Sequence, residues 1–161
     1  MTPEKLVDIL KLEPHPEGGY YKETYRSEQV LTLEGGNSRN VSTAIYYLLE
    51  NENKSSFHRI KSDELWFFHQ GEPLEIVFIK DGKLHTIILG NSLENGEVPQ
   101  AIIEANVWFA AKISEGKGYS LVSCTVAPGF DFLDFELAER NTLLQQYPDL
   151  NNVIKEFTRE D

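Results

Sequence analysis

The stretch from Ser55 to Gly71 holds the densest mixture of proton-transfer and aromatic side chains in the chain, with His58, Glu64, Trp66, Phe68 and His69 all inside it. Strand alternation puts Glu64, Trp66 and Phe68 on one face. If that face is turned into a barrel, Glu64 is a buried carboxylate in need of a partner, and His58 is the nearest candidate in sequence. A His–Glu pair in an apolar cavity has coupled titrations and can move protons near neutral pH. The same two residues can equally form a purely structural hydrogen-bonded pair. His69 has the opposite parity to Glu64 and joins its face only through a bulge.

Around this pair, Tyr21, Arg26, Tyr46, Trp66, His69, Trp108 and Phe130 are the candidate ligand-binding residues. Tyr21 and Tyr46 are hydroxyl acids on aromatic strands. Arg26 can meet an anionic group, although a surface ion pair explains it as well. The two tryptophans and Phe130 are either core anchors or stacking platforms. His15 lies in a Pro- and Gly-constrained turn, where a histidine is commonly exposed or capping. His85 belongs to an outer strand face. Cys124, in an apolar strand with no base near it in sequence, reads as a buried inert thiol. No Gly-rich phosphate loop, Gly-x-Ser-x-Gly elbow or His-Glu-x-x-His helix is present.

The elements that must position these residues are mostly strands. Thr2-Pro3-Glu4 is an N-cap, a proline at the first helical position and an acidic first turn, so a helix is expected over about 3–12. From about residue 20 to 126, short aromatic and β-branched runs are separated by turns, with Lys80-Asp81-Gly82-Lys83 the strongest hairpin signal. After Ala127-Pro128-Gly129 the pattern becomes helical over about 136–158, broken at Pro148. The expectation is all-β: one domain over residues 1–161, a sandwich or barrel with short flanking helices.

Composition narrows the partners. The 161 residues carry 26 acidic and 15 basic side chains, a net charge of −11. Such a surface repels phosphate backbones and anionic membranes, so neither nucleic acid nor a membrane is an expected partner. The single cysteine excludes an internal disulfide and leaves no thiolate cluster for zinc. With no apolar signal segment in Met1 to Leu12, the expected location is the cytoplasm.

The spacing of His58, Ile60, Glu64 and Gly71 resembles the first cupin motif, in which His-x-His is followed by Glu and then Gly. Glu104-x-Asn106-x-x-Phe109 falls where cupins carry Pro-x-Gly-x-x-His. An ordered set of strings is similar to the small cupin-5 branch, a domain of unknown function. These are His15 to Tyr21, Ser42 to Leu49, His58-Arg59, Asp63 to Trp66 and Val126 to Phe132. The resemblance implies a double-stranded β-helix barrel with its ligand pocket inside, and a homodimer.

It also implies a metal site, but Ile60 and Phe109 stand where two of the histidine ligands would be, and neither side chain can ligate. His58 and Glu64 alone would hold a divalent ion weakly, so no cofactor is expected. By analogy with the metal-free branch of the superfamily, the expected activity is a sugar or sugar-nucleotide epimerase or isomerase. His58 and Glu64 are its catalytic pair, and the ligand is a sugar nucleotide or sugar phosphate. A non-catalytic small-molecule binding module and a metal enzyme with an altered ligand set are the alternatives.

Overall fold

The computed structural model describes residues 1–160. Helix α1 (Pro3–Leu10) begins where the sequence predicts. The Thr2 hydroxyl caps Lys5 N–H at 3.3 Å, and the helix ends on Lys11 in the left-handed region. The first strands are β1 (Glu13–Pro14), β2 (Tyr20–Arg26), β3 (Val30–Thr32), β4 (Ser38–Asn40), β5 (Thr43–Glu50), β6 (Lys54–Arg59) and β7 (Asp63–Gly71). They are followed by β8 (Leu74–Lys80), β9 (Lys83–Leu89), β10 (Gln100–Ile103), β11 (Trp108–Ile113), β12 (Tyr119–Ala127) and β13 (Glu136–Leu137). Asp81 and Gly82 both take positive φ, so β8 and β9 join through the two-residue turn that their sequence announces.

Eleven of the strands form two antiparallel sheets, and β3 pairs with β4 as a separate hairpin. One sheet has the order β1-β2-β5-β12-β7-β10 and the other β13-β6-β11-β8-β9. Between them lies the main core, in which Tyr47, Trp66, Ile76, Phe109, Ile113 and Val122 are almost fully buried. The outer face of the five-stranded sheet is covered by α2 (Arg140–Gln146) and α3 (Asn151–Glu156), which bring Leu143, Ile154 and Phe157 onto Phe57, Val77 and Trp108. Helix α1 covers part of the other sheet's outer face, with Leu6 and Leu12 over Leu48 and Leu121. Each such large side chain removed from water contributes roughly 1.5–3 kcal/mol. No helix among the described residues is long and apolar enough to cross a membrane.

Three details differ from the sequence expectation. Strands begin at Glu13, before the expected barrel. The helical region expected over about 136–158 starts with β13, an edge strand paired to β6 through Glu136–Arg59 and Leu137–His58. Strand β6 itself was not anticipated, because its residues Lys54 to Arg59 are mostly polar; pairing with β11 and β13 gives it a place in the sheet.

Candidate functional site

The site is built by one turn docked on one strand. His15 to Gly19 is closed by His15 N–H on the Gly19 carbonyl (2.9 Å) and Gly18 N–H on the His15 carbonyl (3.0 Å). At Gly18, φ is +114° and a Cβ would lie 2.0 Å from the Lys54 carbonyl oxygen, so only glycine lets the turn lie against β6. The Tyr47 hydroxyl donates to the Gly18 carbonyl, and Ser56 N–H donates to the Glu17 carbonyl (3.0 Å). The Glu17 side chain is thereby brought to His58, with His58 Nε2 to Glu17 Oε2 at 2.7 Å.

The hydrogen bonds determine how many protons this pair holds. His58 Nδ1 is 2.7 Å from the Ser56 carbonyl oxygen, which can only accept, so Nδ1 carries a proton. One further proton lies between Nε2 and the Glu17 carboxylate, since two lone pairs cannot face each other at 2.7 Å. Burial opposes the imidazolium, but the attraction and hydrogen bond of Glu17, helped by Glu64, raise the His58 pKa above the ordinary value. Burial likewise pushes Glu17 up, and the bond to His58 outweighs it, so Glu17 ends below the usual carboxylate range. Both directions favour the ion pair. The ring is held by Phe109, with centroids 4.1 Å apart, and by Phe135 stacked at 5.5 Å.

Glu64 has a different environment. Its Oε1 accepts Trp66 Nε1–H at 2.7 Å, and no other hydrogen bond from the described residues reaches this carboxyl. Burial and the nearby Glu17 charge raise its pKa to about 7, against the smaller opposing effects of His58 and the Trp66 N–H. Glu64 is therefore poised between acid and base at neutral pH. His15 is held neutral: burial lowers its pKa, and its Nδ1 accepts Glu17 N–H at 3.1 Å, so the ring proton sits on Nε2. Cys124, opposite Trp66 in the sheet, is buried, and burial together with Glu64 and Glu17 raises its thiol pKa well above normal. That matches an inert thiol.

These groups line one cavity of about 460 Å³ between the sheets. Of the residues singled out in the sequence, His58, Glu64, Trp66, Tyr21, Arg26 and Phe130 line it. Tyr46, His69 and Trp108 do not, which corrects three expectations. The pairing of β7 with β12 does contain a bulge at His69, but the ring turns outward, bonding the Ser123 hydroxyl at 2.8 Å and meeting Tyr46 edge-on. Tyr46 lies directly across from Ser123, so it shares that outer face. Trp108 faces the C-terminal helices, with the Arg59 guanidinium 4.2 Å over its ring. The expected His58–Glu64 contact is also replaced: both ring nitrogens of His58 are taken by Ser56 and Glu17.

Glu17, His15, Phe132 and Phe135 are among the cavity residues that sequence reasoning missed, as are Glu23 and Asp131. Pro16 and the paired glycines did mark the first two as belonging to a constrained turn. Nothing local marked what that turn packs against.

The sequence profile described as Cupin superfamily (DUF985) matches residues 4–138. The chain belongs to the cupin-5 family. This cupin-5 chain is 32% identical to the uncharacterized protein YML079W of Saccharomyces cerevisiae, across 81% of this chain and 72% of that one. A hypothetical protein from Leishmania major has a similar structure, with a TM-score of 0.92 and 38% identity over 99% of this chain and 100% of its own. Protein SO0799 from Shewanella oneidensis gives 0.93 and 38% over 100% and 99%. Oxalate decarboxylase from Bacillus subtilis shares the fold, with a TM-score of 0.57 at 9% identity, this chain spanning 37% of its length.

Many cupins hold a metal, and the donors in this cupin-5 barrel fit one poorly. His58 has no ring nitrogen free. Ile60 lines the cavity where a second imidazole would stand, and Phe109 packs on His58 from the position of the last. Among the described residues no group of three or more His, Cys, Asp or Glu side chains is arranged to hold a metal ion.

Proposed function

We propose that this cupin-5 barrel binds a small polar molecule and moves a proton on it without a metal, as a sugar epimerase or isomerase does. The observation that carries this reading is Glu64, a cavity carboxyl with one oxygen free and a pKa near 7. Such a group can remove a proton from carbon next to a carbonyl and return it. The fixed His58–Glu17 ion pair keeps Glu64 from settling into either form. Neutral His15 offers its Nε2–H, without a hydrogen-bond partner among the described residues, to the oxygen on which charge develops. Tyr21, in edge contact with His15 at 4.5 Å, is the remaining hydroxyl acid, since Tyr46 faces outward. The sequence expectation gave proton transfer to His58 and Glu64 as a pair; in this reading Glu64 alone is the base.

The test is hydrogen exchange at carbon. Sugar nucleotides, sugar phosphates and unphosphorylated keto and amino sugars are incubated with the protein in deuterium oxide and read by proton NMR. The expected result is loss of one C–H signal for at least one compound, slowed at least about 100-fold by Glu64→Gln. Saturable binding with no exchange on any compound would leave the binding-module reading. The full engagement of the His58 ring favours that reading, because it makes His58 structural.

A further inference from the structure

We propose that the cavity selects a small organic cation, a protonated amine whose carbon skeleton packs against the phenylalanines at the rim, over phosphorylated ligands. This rests on the reading of the cavity as the ligand site and names what enters it. Four carboxyl groups line the cavity, Glu17 and Glu64 inside and Glu23 and Asp131 nearer the rim, against the Arg26 guanidinium and the His58 imidazolium, which Glu17 already neutralises. Arg26 is already committed. Its Nε and Nη2 donate to Glu23 at 3.2 and 2.6 Å, Nη1 to Asn40 Oδ1 at 2.8 Å, and Nη2 again to the Phe130 carbonyl at 3.0 Å.

A phosphate would need free cationic donors, and every guanidinium nitrogen of Arg26 is engaged. The short 3-10 turn over Phe132–Asp134 is capped by the chain's own Asp131, whose side chain accepts Leu133 N–H at 2.9 Å. Arg39, which lies 3.9 Å from the rim carboxylate of Asp131, is held bidentate by Asp134 at 2.9 and 2.8 Å. A dianion would therefore enter beside Glu64 and a Glu17 carboxylate already paired with His58, with no free cation among the lining residues to offset it.

A cation meets the opposite situation. The second oxygen of Glu64 accepts no hydrogen bond from the described residues, although the side chain is buried. It is a strong acceptor inside the cavity left for an N–H donor. Phe130, Phe132 and Phe135 form an edge-to-face cluster with centroids 4.8 to 6.3 Å apart, and Phe132 remains half exposed. Aromatic faces attract ammonium groups and cover their alkyl neighbours. The net charge of −11 draws cations toward the molecule and repels phosphates. A bound ammonium also favours the carboxylate form of Glu64, the form a base must have. Binding should therefore release a proton and tighten as pH rises through the Glu64 pKa.

Calorimetric titration of the full chain with glucosamine and tetramethylammonium, against glucose, glucose 6-phosphate and inorganic phosphate, tests this. Both ammonium probes are expected to bind saturably, glucosamine about tenfold or more tighter than glucose. Glucosamine affinity should rise several-fold from about pH 6 to about pH 8, where its amine is still partly protonated. Glu64→Gln should remove most of that affinity and its pH dependence. Phe132→Ala, a rim substitution that leaves the core intact, should weaken tetramethylammonium more than glucose. Glucose 6-phosphate or phosphate binding tighter than glucosamine, or no saturable binding of either ammonium probe, overturns the proposal. Ammonium binding without carbon exchange would count against the proton-transfer reading alone. Carbon exchange on a phosphorylated or neutral sugar that outcompetes glucosamine would count against the cation alone.

Discussion

Glu64 is kept partly protonated by its surroundings, and this has a consequence for stability. Its pKa in the folded protein is about 7, raised by burial and by Glu17 from the 4.5 of an unperturbed glutamate. A carboxyl with a raised folded pKa binds its proton more tightly in the native state. It therefore contributes fully below the unfolded value and loses that contribution as pH climbs toward the folded one. Unfolding free energy measured by urea denaturation should fall by roughly 1–3 kcal/mol between about pH 4.5 and about pH 8 from this group. Glu64→Gln cannot ionise, so the fall should shrink in that variant, leaving what His58 adds. His58, also raised, contributes below the unfolded histidine value and loses its share as pH rises through its folded pKa. Equal pH profiles for wild type and Glu64→Gln would show that Glu64 titrates normally.

At the scale of elements, one turn and one strand assemble the site. The turn from His15 to Gly19 approaches β6 so closely that Gly18 has no room for a methyl group. Gly18→Ala should cost more than about 2 kcal/mol, since it combines a left-handed φ with a collision against backbone that cannot move aside. Gly35, also at positive φ but with nothing within 4 Å of a Cβ, is the control. Gly35→Ala should cost about 1 kcal/mol, the conformational part alone. If the turn detaches, Glu17 leaves His58, and the His58 pKa should drop in an NMR titration. Equal stability losses for the two glycine variants would mean that the turn does not depend on its contact with β6. Strand β13 acts on the other side of the ring, since its pairing with β6 brings Phe135 onto His58.

For the whole molecule, the open question is assembly. Helix α1 covers only part of the outer face of the six-stranded sheet. On that sheet Ile102 lies across from Leu65, and Phe67, Ser123 and Tyr46 form a row across β7, β12 and β5. Ile102 is 56% exposed, and it sits on β10, the edge strand. An apolar edge of this kind is an aggregation risk unless something covers it, and a second copy of the chain would do so. Sedimentation at micromolar concentration should report a homodimer. Ile102→Asp should shift it toward monomer with the circular dichroism unchanged. A wild-type monomer would remove the homodimer expectation altogether.

Much of the architecture could be read from the chain because it rests on local chemistry. The Thr2 cap, the Asp81-Gly82 turn and the alternation that buries Glu64 with Trp66 each depend on residues close in sequence. The cupin-5 strings were legible for the same reason, and they carried the fold. The site was legible only in part. Parity shows that His69 opposes Glu64, but it does not show which face of which sheet becomes the interior, so Tyr46 and Trp108 were misplaced. The partner of His58 could not be read at all. It comes from a turn far earlier in the chain, and only the packing of that turn against β6 brings Glu17 to the ring. The proton assignment follows from that packing: a ring nitrogen's role is set by what sits beside it, and what sits beside it is decided by the tertiary fold.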